Sequence, residues 1–519
     1  MKKSPSKARL WLRALVALAL MAGTIALRIP FASRTLFAWD SANFALALTQ
    51  YNVAFHQPHP PGYPLYVGIA SVLDSWLADA NLSFVVISIA ASGLAVAALY
   101  LLVASMYDPW TGFVAAVLLG VGVGFWGYGE VAYPYTSLAF FGVLVASLCW
   151  MMWRGHRSVA VLSGLILGIS GGIRQDTLLF LGPLWLVSVW GTGVIRFILS
   201  TGVLGLTVAA WLYPAAVLSG GWAVFAEASV EQGYLVLPTS SAIYQGIDGL
   251  RHNSLLLVHS LDVMFGATAL VVLYGLGRFL TFRGVVADQR LRFLLLWFIP
   301  PVLVYAMFHI GEPGYVLSIV PVLCIVAAVT VHDISHDVRS ALTLLASKAS
   351  ALRFLSSAAW TVGVATAVLI VSTLVAWNAN AFVRTSGPAR WSEISSIDAI
   401  ISGQVEYARQ FAPNSVVIVA KERYRQMQYY LRGYDIQLLY NEFVPDYSSA
   451  RYSYRIPAGV GNVLVLDFGK TPSQLPQAAG GEVTISSGPW NPVKLWNFQV
   501  KPGDTIEYGY DYFGIKGGR

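Results

Sequence analysis

The chain has 519 residues, 56% apolar and 11% charged, with a formal net charge of +7 and a mean hydropathy of +0.62. Soluble proteins carry about 25% charged residues, so a single soluble domain and intrinsic disorder are both excluded. The positive balance does not point to nucleic acid, because no basic stripe with interleaved aromatics occurs and the cations gather at the ends of apolar runs.

The charge is uneven, with 26 of the 59 charged residues in the last 142 positions. That distribution predicts a membrane part over residues 1–377 and a water-soluble domain over 378–519. Apolar runs in the first part predict eleven spans: 10–27, 82–105, 111–126, 134–153, 158–173, 177–190, 197–218, 254–276, 293–308, 315–331 and 355–377. Several are shorter than the ~20 residues of a perpendicular span. The basic start followed by an apolar run has the form of a signal peptide, but the many later spans favour an uncleaved first helix.

Lys2, Lys3, Lys7 and Arg9 precede the first run, and Arg154 and Arg157 follow the fourth. Arg278, Arg283, Arg290 and Arg292 follow the eighth, and Arg339, Lys348 and Arg353 precede the last. All fall on one side if the N-terminus is cytoplasmic. The expectation is a multi-pass protein of the plasma (inner) membrane. Its first loop (29–81), a later loop (220–253) and its C-terminal domain then lie on the extracytoplasmic, or periplasmic, side. Cys149 and Cys324 sit far apart inside apolar runs, which supports neither a disulfide framework nor a thiolate metal site.

The tail reads as a small α/β domain. Ile394, Ile397, Ile401, Val405 and Ala408 recur at helical spacing, predicting an amphipathic helix over 391–411. Strands are expected at 415–420, 436–440 and 463–468, with a polar-aromatic stretch at 422–432. No glycine-rich phosphate loop opens any helix, so no nucleotide site is expected.

The first loop is the most informative segment. Asp40 opens the string Asp-Ser-Ala-Asn-Phe about a dozen residues after the first run, and His56-Gln-Pro-His-Pro-Pro-Gly-Tyr-Pro-Leu-Tyr follows. Asp40 has a plain reading as the N-cap of a short interfacial helix, and the Pro-rich string one as a rigid turn. Their pairing in one loop beside the lipid surface favours chemistry.

An acidic residue after the first membrane helix, then a basic residue before Pro-Pro about twenty residues later, resembles the GT-C membrane glycosyltransferases. That group includes protein O-mannosyltransferases and the aminoarabinose transferases that modify lipid A. The matching positions are Asp40 and His59-Pro60-Pro61, where many members carry Lys in place of His59. The string as a whole is most similar to the O-mannosyltransferase-like branch. The resemblance is strong over the first loop, extends over roughly the first 330 residues by topology, and does not reach the tail.

The resemblance implies a polytopic α-helical GT-C fold with a C-terminal soluble α/β domain. It further implies an inverting transfer of a sugar from a polyprenyl-phosphate donor, held in the bilayer, to an acceptor hydroxyl on a protein, glycolipid or cell-envelope glycan. Asp40 would be the general base. Cationic groups near the leaving phosphate would come from His59, His56 and Arg174. Glu130, in the loop before the fourth run, approximates a second acidic position of the family and competes with a reading as an ordinary loop carboxylate.

Other residues have paired readings. Tyr63 belongs to the His-Pro-Pro-Gly-Tyr motif. Tyr133 and Tyr135 are candidates to stack on a sugar or to form an interfacial belt. Arg174 and Asp176 form a turn at membrane depth, where ionisable residues are expensive and commonly functional; Asp176 is also a natural ion-pair partner for Arg174. His309 and Glu312 lie in a Gly-Pro turn that suits a phosphate contact or a plain bend, and Arg251 and His252 suit interface anchoring. No close metal-ligand spacing occurs, so a divalent metal is a possibility left open and no cofactor is required. A transporter of lipid-linked sugars is the alternative; it would favour midplane charges and inverted repeats, neither of which is visible.

Overall fold

In the computed structural model the described residues are 7–281, 288–348, 354–441, 448–466, 480–485, 493–510 and 512–518. By packing, the chain forms two compact units. One comprises Met1–Ala32 with Pro60–Trp391, and the other Ser33–His59 with Ser392–Arg519.

The first unit is helical. Among the described residues seven helices are long and apolar enough to cross a membrane: Ala8–Phe31, Ala80–Met106, Tyr135–Trp153, Val194–Leu218, Gln289–Met307, Val320–Lys348 and Ser356–Arg384. A bent pair, Ala242–Phe265 and Thr268–Arg278, turns through 120° and makes an eighth if counted as one span. Gly266 lies in the bend at φ +50°, a conformation that favours glycine.

Every apolar run of the sequence is helical here, but three fall short of a span: Pro109–Gly120, Arg157–Ile173 and Asp176–Trp190. At 1.5 Å per residue a 12-residue helix reaches about 18 Å, against a hydrocarbon core of about 30 Å. The expected run 111–126 breaks at Gly122 into Pro109–Gly120 and Val123–Tyr128. Two further helices, Pro64–Leu77 and Trp222–Ser240, form within stretches expected as loops. Arg283 and Arg353 of the charge pattern, and the N-terminal Lys2 and Lys3, lie outside the described residues.

Burial divides the long helices. Ala80–Met106, Tyr135–Trp153 and Val320–Lys348 are central, whereas Val194–Leu218 and Ala8–Phe31 are largely exposed although predominantly apolar. Leu206, for example, is 73% exposed, the pattern of a lipid-facing surface. Helix association relies on small residues. A Cβ on Gly164 would meet the Ser200 carbonyl oxygen at 2.3 Å, and one on Gly168 would meet Thr207 at 2.6 Å. Trp211 Nε1 donates to the Gly168 carbonyl at 2.9 Å across the same packing.

The second unit is built on two sheets. Strands β1 (Val416–Ala420), β2 (Asp435–Leu438), β3 (Tyr452–Arg455), β4 (Asn462–Val465), β5 (Gly480–Ile485), β6 (Val493–Gln499), β7 (Thr505–Gly509) and β8 (Tyr512–Lys516) follow in chain order. The larger sheet has the order β2-β1-β4-β6-β5, with β1 parallel to β2 and β4, and β6 antiparallel to β4 and β5. The smaller, β3-β7-β8, is antiparallel.

All five β1 residues are buried, as a parallel strand covered on both faces requires. Val417 and Val419 join Val463, Val465, Ile506 and Phe513 in one core. Val416, Ile418 and Ala420 join Ile401, Val405 and Met427 in another. The expected amphipathic helix forms as Trp391–Ala408, and the polar-aromatic stretch forms the helix Tyr424–Tyr430. Of the expected strand 463–468, residues 467 and 468 lie outside the described residues. The strands of the smaller sheet were not among those expected, although β3 (Tyr-Ser-Tyr-Arg) and β7 (Thr-Ile-Glu-Tyr-Gly) do alternate; they are only four and five residues long.

Candidate active site

Asp40 sits in the first turn of the helix Trp39–Ala47. The N-cap is Ala38, whose backbone N–H donates to Ser41 Oγ at 3.3 Å. Asp40 is therefore not the cap, and its carboxylate instead lies near the positive end of the helix dipole. His59 Nδ1 is 3.4 Å from Asp40 Oδ1, with side-chain exposures of 15% for His59 and 34% for Asp40. The Phe44 ring lies 5.7 Å from the His59 ring and confines it.

The chain between them folds back through a tight turn. Asn52 and Gln57 exchange backbone hydrogen bonds at 2.6 and 3.0 Å, and Asn52 Oδ1 caps the N–H of Ala54. His56 occupies a left-handed position in this turn at φ +54°. The two motif halves thus meet because a hairpin-like return brings position 59 back to position 40.

A second constellation lies within the helical unit. Arg174, 5% exposed, ends the helix Ala160–Ile173 in an extended conformation. Its Nε donates to Asp176 Oδ2 at 2.7 Å. Its guanidinium lies 4.2 Å from the Tyr315 ring centre and 5.1 Å from that of Tyr135, a cation–π arrangement. Burial opposes the charge of Arg174, but Asp176, with the nearby hydroxyls of Tyr63, Tyr315 and Tyr135, more than restores it. The guanidinium stays cationic.

Glycines admit this cluster. A Cβ on Gly314 would strike the Tyr135 ring at 2.2 Å, and one on Gly172 would strike Leu65 at 2.5 Å. Tyr63 precedes the helix Pro64–Leu77 at φ +48° and is itself buried. Tyr305 Oη donates to the Tyr315 carbonyl at 2.6 Å and fixes that turn. His309 Nδ1 is 3.0 Å from Ser240 Oγ. Burial, then the charges of Arg174 and His252, hold the His309 imidazole below the ordinary histidine range. Glu312 is exposed at the N-terminus of the same turn. Tyr133 and Tyr135 are buried and stacked at 4.8 Å, rather than forming an exposed belt.

Glu130 is placed elsewhere in that unit. It is 0% exposed, and neither carboxylate oxygen has a hydrogen bond of ordinary geometry. Burial pushes its carboxyl well up, against the pull of Arg28. Arg28 is also 0% exposed and donates from Nη2 to the Gly120 carbonyl at 2.8 Å.

The structure therefore brings Asp40 together with His59, and Arg174 together with Tyr63, Tyr135, Tyr315 and His309. Among the described residues no three His, Cys, Asp or Glu side chains gather as a metal site. Two contributors were missed in the sequence. Tyr315 carries no signal beyond its Glu312-Pro313-Gly314-Tyr315 turn. Asp398 does carry one, because it falls on the apolar stripe between Ile394 and Ile401.

No protein-family model matches the chain, and none of the curated proteins matches it significantly in sequence. Solved structures do match in fold. ArnT from Cupriavidus metallidurans bound to undecaprenyl phosphate superposes with a TM-score of 0.54 at 12% identity, covering 95% of this chain and 98% of that one. Its apo state gives a TM-score of 0.55 at 11% identity over the same shares. An oligosaccharyltransferase from Archaeoglobus fulgidus is more distant, at a TM-score of 0.47 and 14% identity, covering 88% of this chain and 69% of that one.

Proposed function

We propose that this chain, a multi-pass membrane protein with the GT-C fold, is a glycosyltransferase that uses a polyprenyl-phosphate sugar as donor. The observation that carries the reading is the Asp40–His59 pair on its short helix, in a chain whose fold is that of ArnT.

In the proposed reaction the oxygen of an acceptor hydroxyl attacks the anomeric carbon of the donor. Asp40 takes the hydroxyl proton as general base, with the His59 imidazole 3.4 Å from its carboxylate. The bond from the anomeric carbon to the phosphate oxygen breaks, the electron pair stays on the phosphate, and the anomeric centre inverts. Arg174 is the cation for the leaving phosphate: always charged, planar and preoriented by Tyr315 and Asp176. Tyr63 and His309 complete its polar surroundings, and His56 and Glu312 are kept as further substrate-binding residues of this reading. The reading places the N-terminus in the cytoplasm and residues 378–519 outside.

Sugar transfer from polyprenyl-phosphate donors by the purified, lipid-reconstituted protein tests this. Asp40→Asn is expected to lower the rate by about 10²–10⁴-fold. A wild type that transfers no sugar from any such donor, or a fully active Asp40→Asn protein, overturns the assignment. Movement of lipid-linked sugar across liposomes without transfer would instead indicate a transporter. Orientation is read with Glu482→Cys, because the native Cys149 and Cys324 are buried. An impermeant thiol reagent should label it from outside intact cells, and protection there refutes the orientation.

A further inference from the structure

The segment immediately before Asp40 has no regular structure, yet Ser33 and Thr35 are buried and its backbone N–H groups at 34, 35 and 36 all find side-chain acceptors. Asp398, on the helix Trp391–Ala408, is 7% exposed. Its Oδ1 accepts from Thr35 N–H at 2.9 Å and from Thr35 Oγ1 at 2.7 Å. Its Oδ2 accepts from Arg34 N–H at 2.9 Å. Ser33 Oγ lies 2.8 Å from both Asp398 Oδ1 and the Thr35 carbonyl, which share its single proton. The next backbone donor, Leu36 N–H, goes to Tyr430 Oη at 2.9 Å.

Three consecutive N–H groups, at 34, 35 and 36, are thus met by side chains lying more than 360 positions downstream. The same downstream helix, Tyr424–Tyr430, holds two further points of the loop. The Tyr424 ring lies 5.9 Å from that of Trp39, the residue before Asp40. Arg425 Nη2 donates to the Phe55 carbonyl at 3.0 Å, inside the turn that returns His59. The carboxylate is bound on both oxygens, and each bond to a charged acceptor is stronger than a neutral one.

We propose that Asp398 is a positioning residue for Asp40: it clamps Ser33–Thr35 and so fixes where the helix Trp39–Ala47 begins and where its first-turn carboxylate is held. This rests on the reading of Asp40 as general base. A base displaced by about 1 Å loses roughly 10²-fold in rate, so the clamp acts on turnover rather than on donor affinity. The residues from 392 onward contribute to the reaction by holding its base, without touching a substrate.

The test uses the full-length protein in lipid. Asp398→Asn keeps the shape but turns an amide N–H₂ toward groups that are themselves donors. Hydrogen exchange over residues 33–59 should rise about tenfold or more while β1 stays protected. The turnover number should fall about tenfold with the donor KM within about threefold. In an Asp40→Asn background the same substitution should change the residual rate less than about twofold, because the two act through one group. Thr35→Val, which removes one donor, should give a smaller fall of the same kind and keeps the test available if Asp398→Asn folds poorly. Unchanged exchange over 33–59, or an effect that multiplies with Asp40→Asn, overturns the positioning role while leaving the glycosyltransferase reading standing. An inactive wild type overturns that reading first, and exchange then still decides whether the clamp exists.

Discussion

Two buried carboxylates in the two units meet opposite fates. Asp398 receives donors on both oxygens from Ser33, Arg34 and Thr35. Glu130 lies deeper still, with Arg28 as its electrostatic counterweight and no hydrogen bond of ordinary geometry on either oxygen. Low dielectric strengthens a satisfied polar network and penalises an unsatisfied one. The first carboxylate ties distant chain together, while the second is an unfavourable charge that its surroundings hold toward the neutral form.

The largest way to break this contrast is Asp398→Ala. It strands the buried Thr35 N–H and hydroxyl and the part-buried Arg34 N–H at once, and should lower the stability of its unit by about 2–3 kcal/mol, measured by denaturant titration of the full protein. A loss below about 1 kcal/mol would show that solvent takes over the clamp. Next comes Arg174→Lys, which keeps the charge but gives up the planar stack on Tyr315 and the geometry toward Asp176. A loss of about 1–2 kcal/mol corresponds to roughly a tenfold rise in donor KM, and an unchanged KM would remove Arg174 from donor binding.

Glu130→Gln should be milder, within about 1 kcal/mol, because the amide resembles the protonated acid that burial already favours. The sign with pH is definite. A carboxyl whose folded pKa is raised binds its proton more tightly when folded, so its contribution falls as pH rises from the ordinary carboxylate range toward the raised value. The Gln variant should flatten that part of the stability curve, and an identical curve would refute the assignment. The smallest effect is expected at His309. Its imidazole is held below its ordinary range, so the unfolded chain takes up the proton first as pH falls through about 6.5. Wild type should lose stability below that pH, and His309→Gln should lose less over the same window.

Hydropathy carries the helices because lipid-facing and packed surfaces alike must be apolar, so every run from 10–27 to 355–377 was recoverable. Span length was not. The run 111–126 has no polar residue near its break, and only Gly120, Gly122 and Gly124 mark the place. Asp40 and His59 were legible as a motif, and their proximity follows from a local turn. The partners of residues 33–36 were not legible, because a hydrogen bond across some 360 positions leaves no local periodicity. Its one trace is a carboxylate where the stripe Ile394, Ile401, Val405 calls for an apolar side chain.

The interleaving of Ser33–His59 with the residues from 392 onward also sets an order of events during synthesis. Positions 33–59 leave the ribosome early, and the chain that anchors them follows some 330 residues later. At about 5–20 residues per second, roughly 20 to 70 seconds pass before Asp398 and Tyr430 exist to receive them. Until then the partners of residues 33–59 do not exist, so nascent chains stalled short of these positions carry Asp40 on an untethered loop.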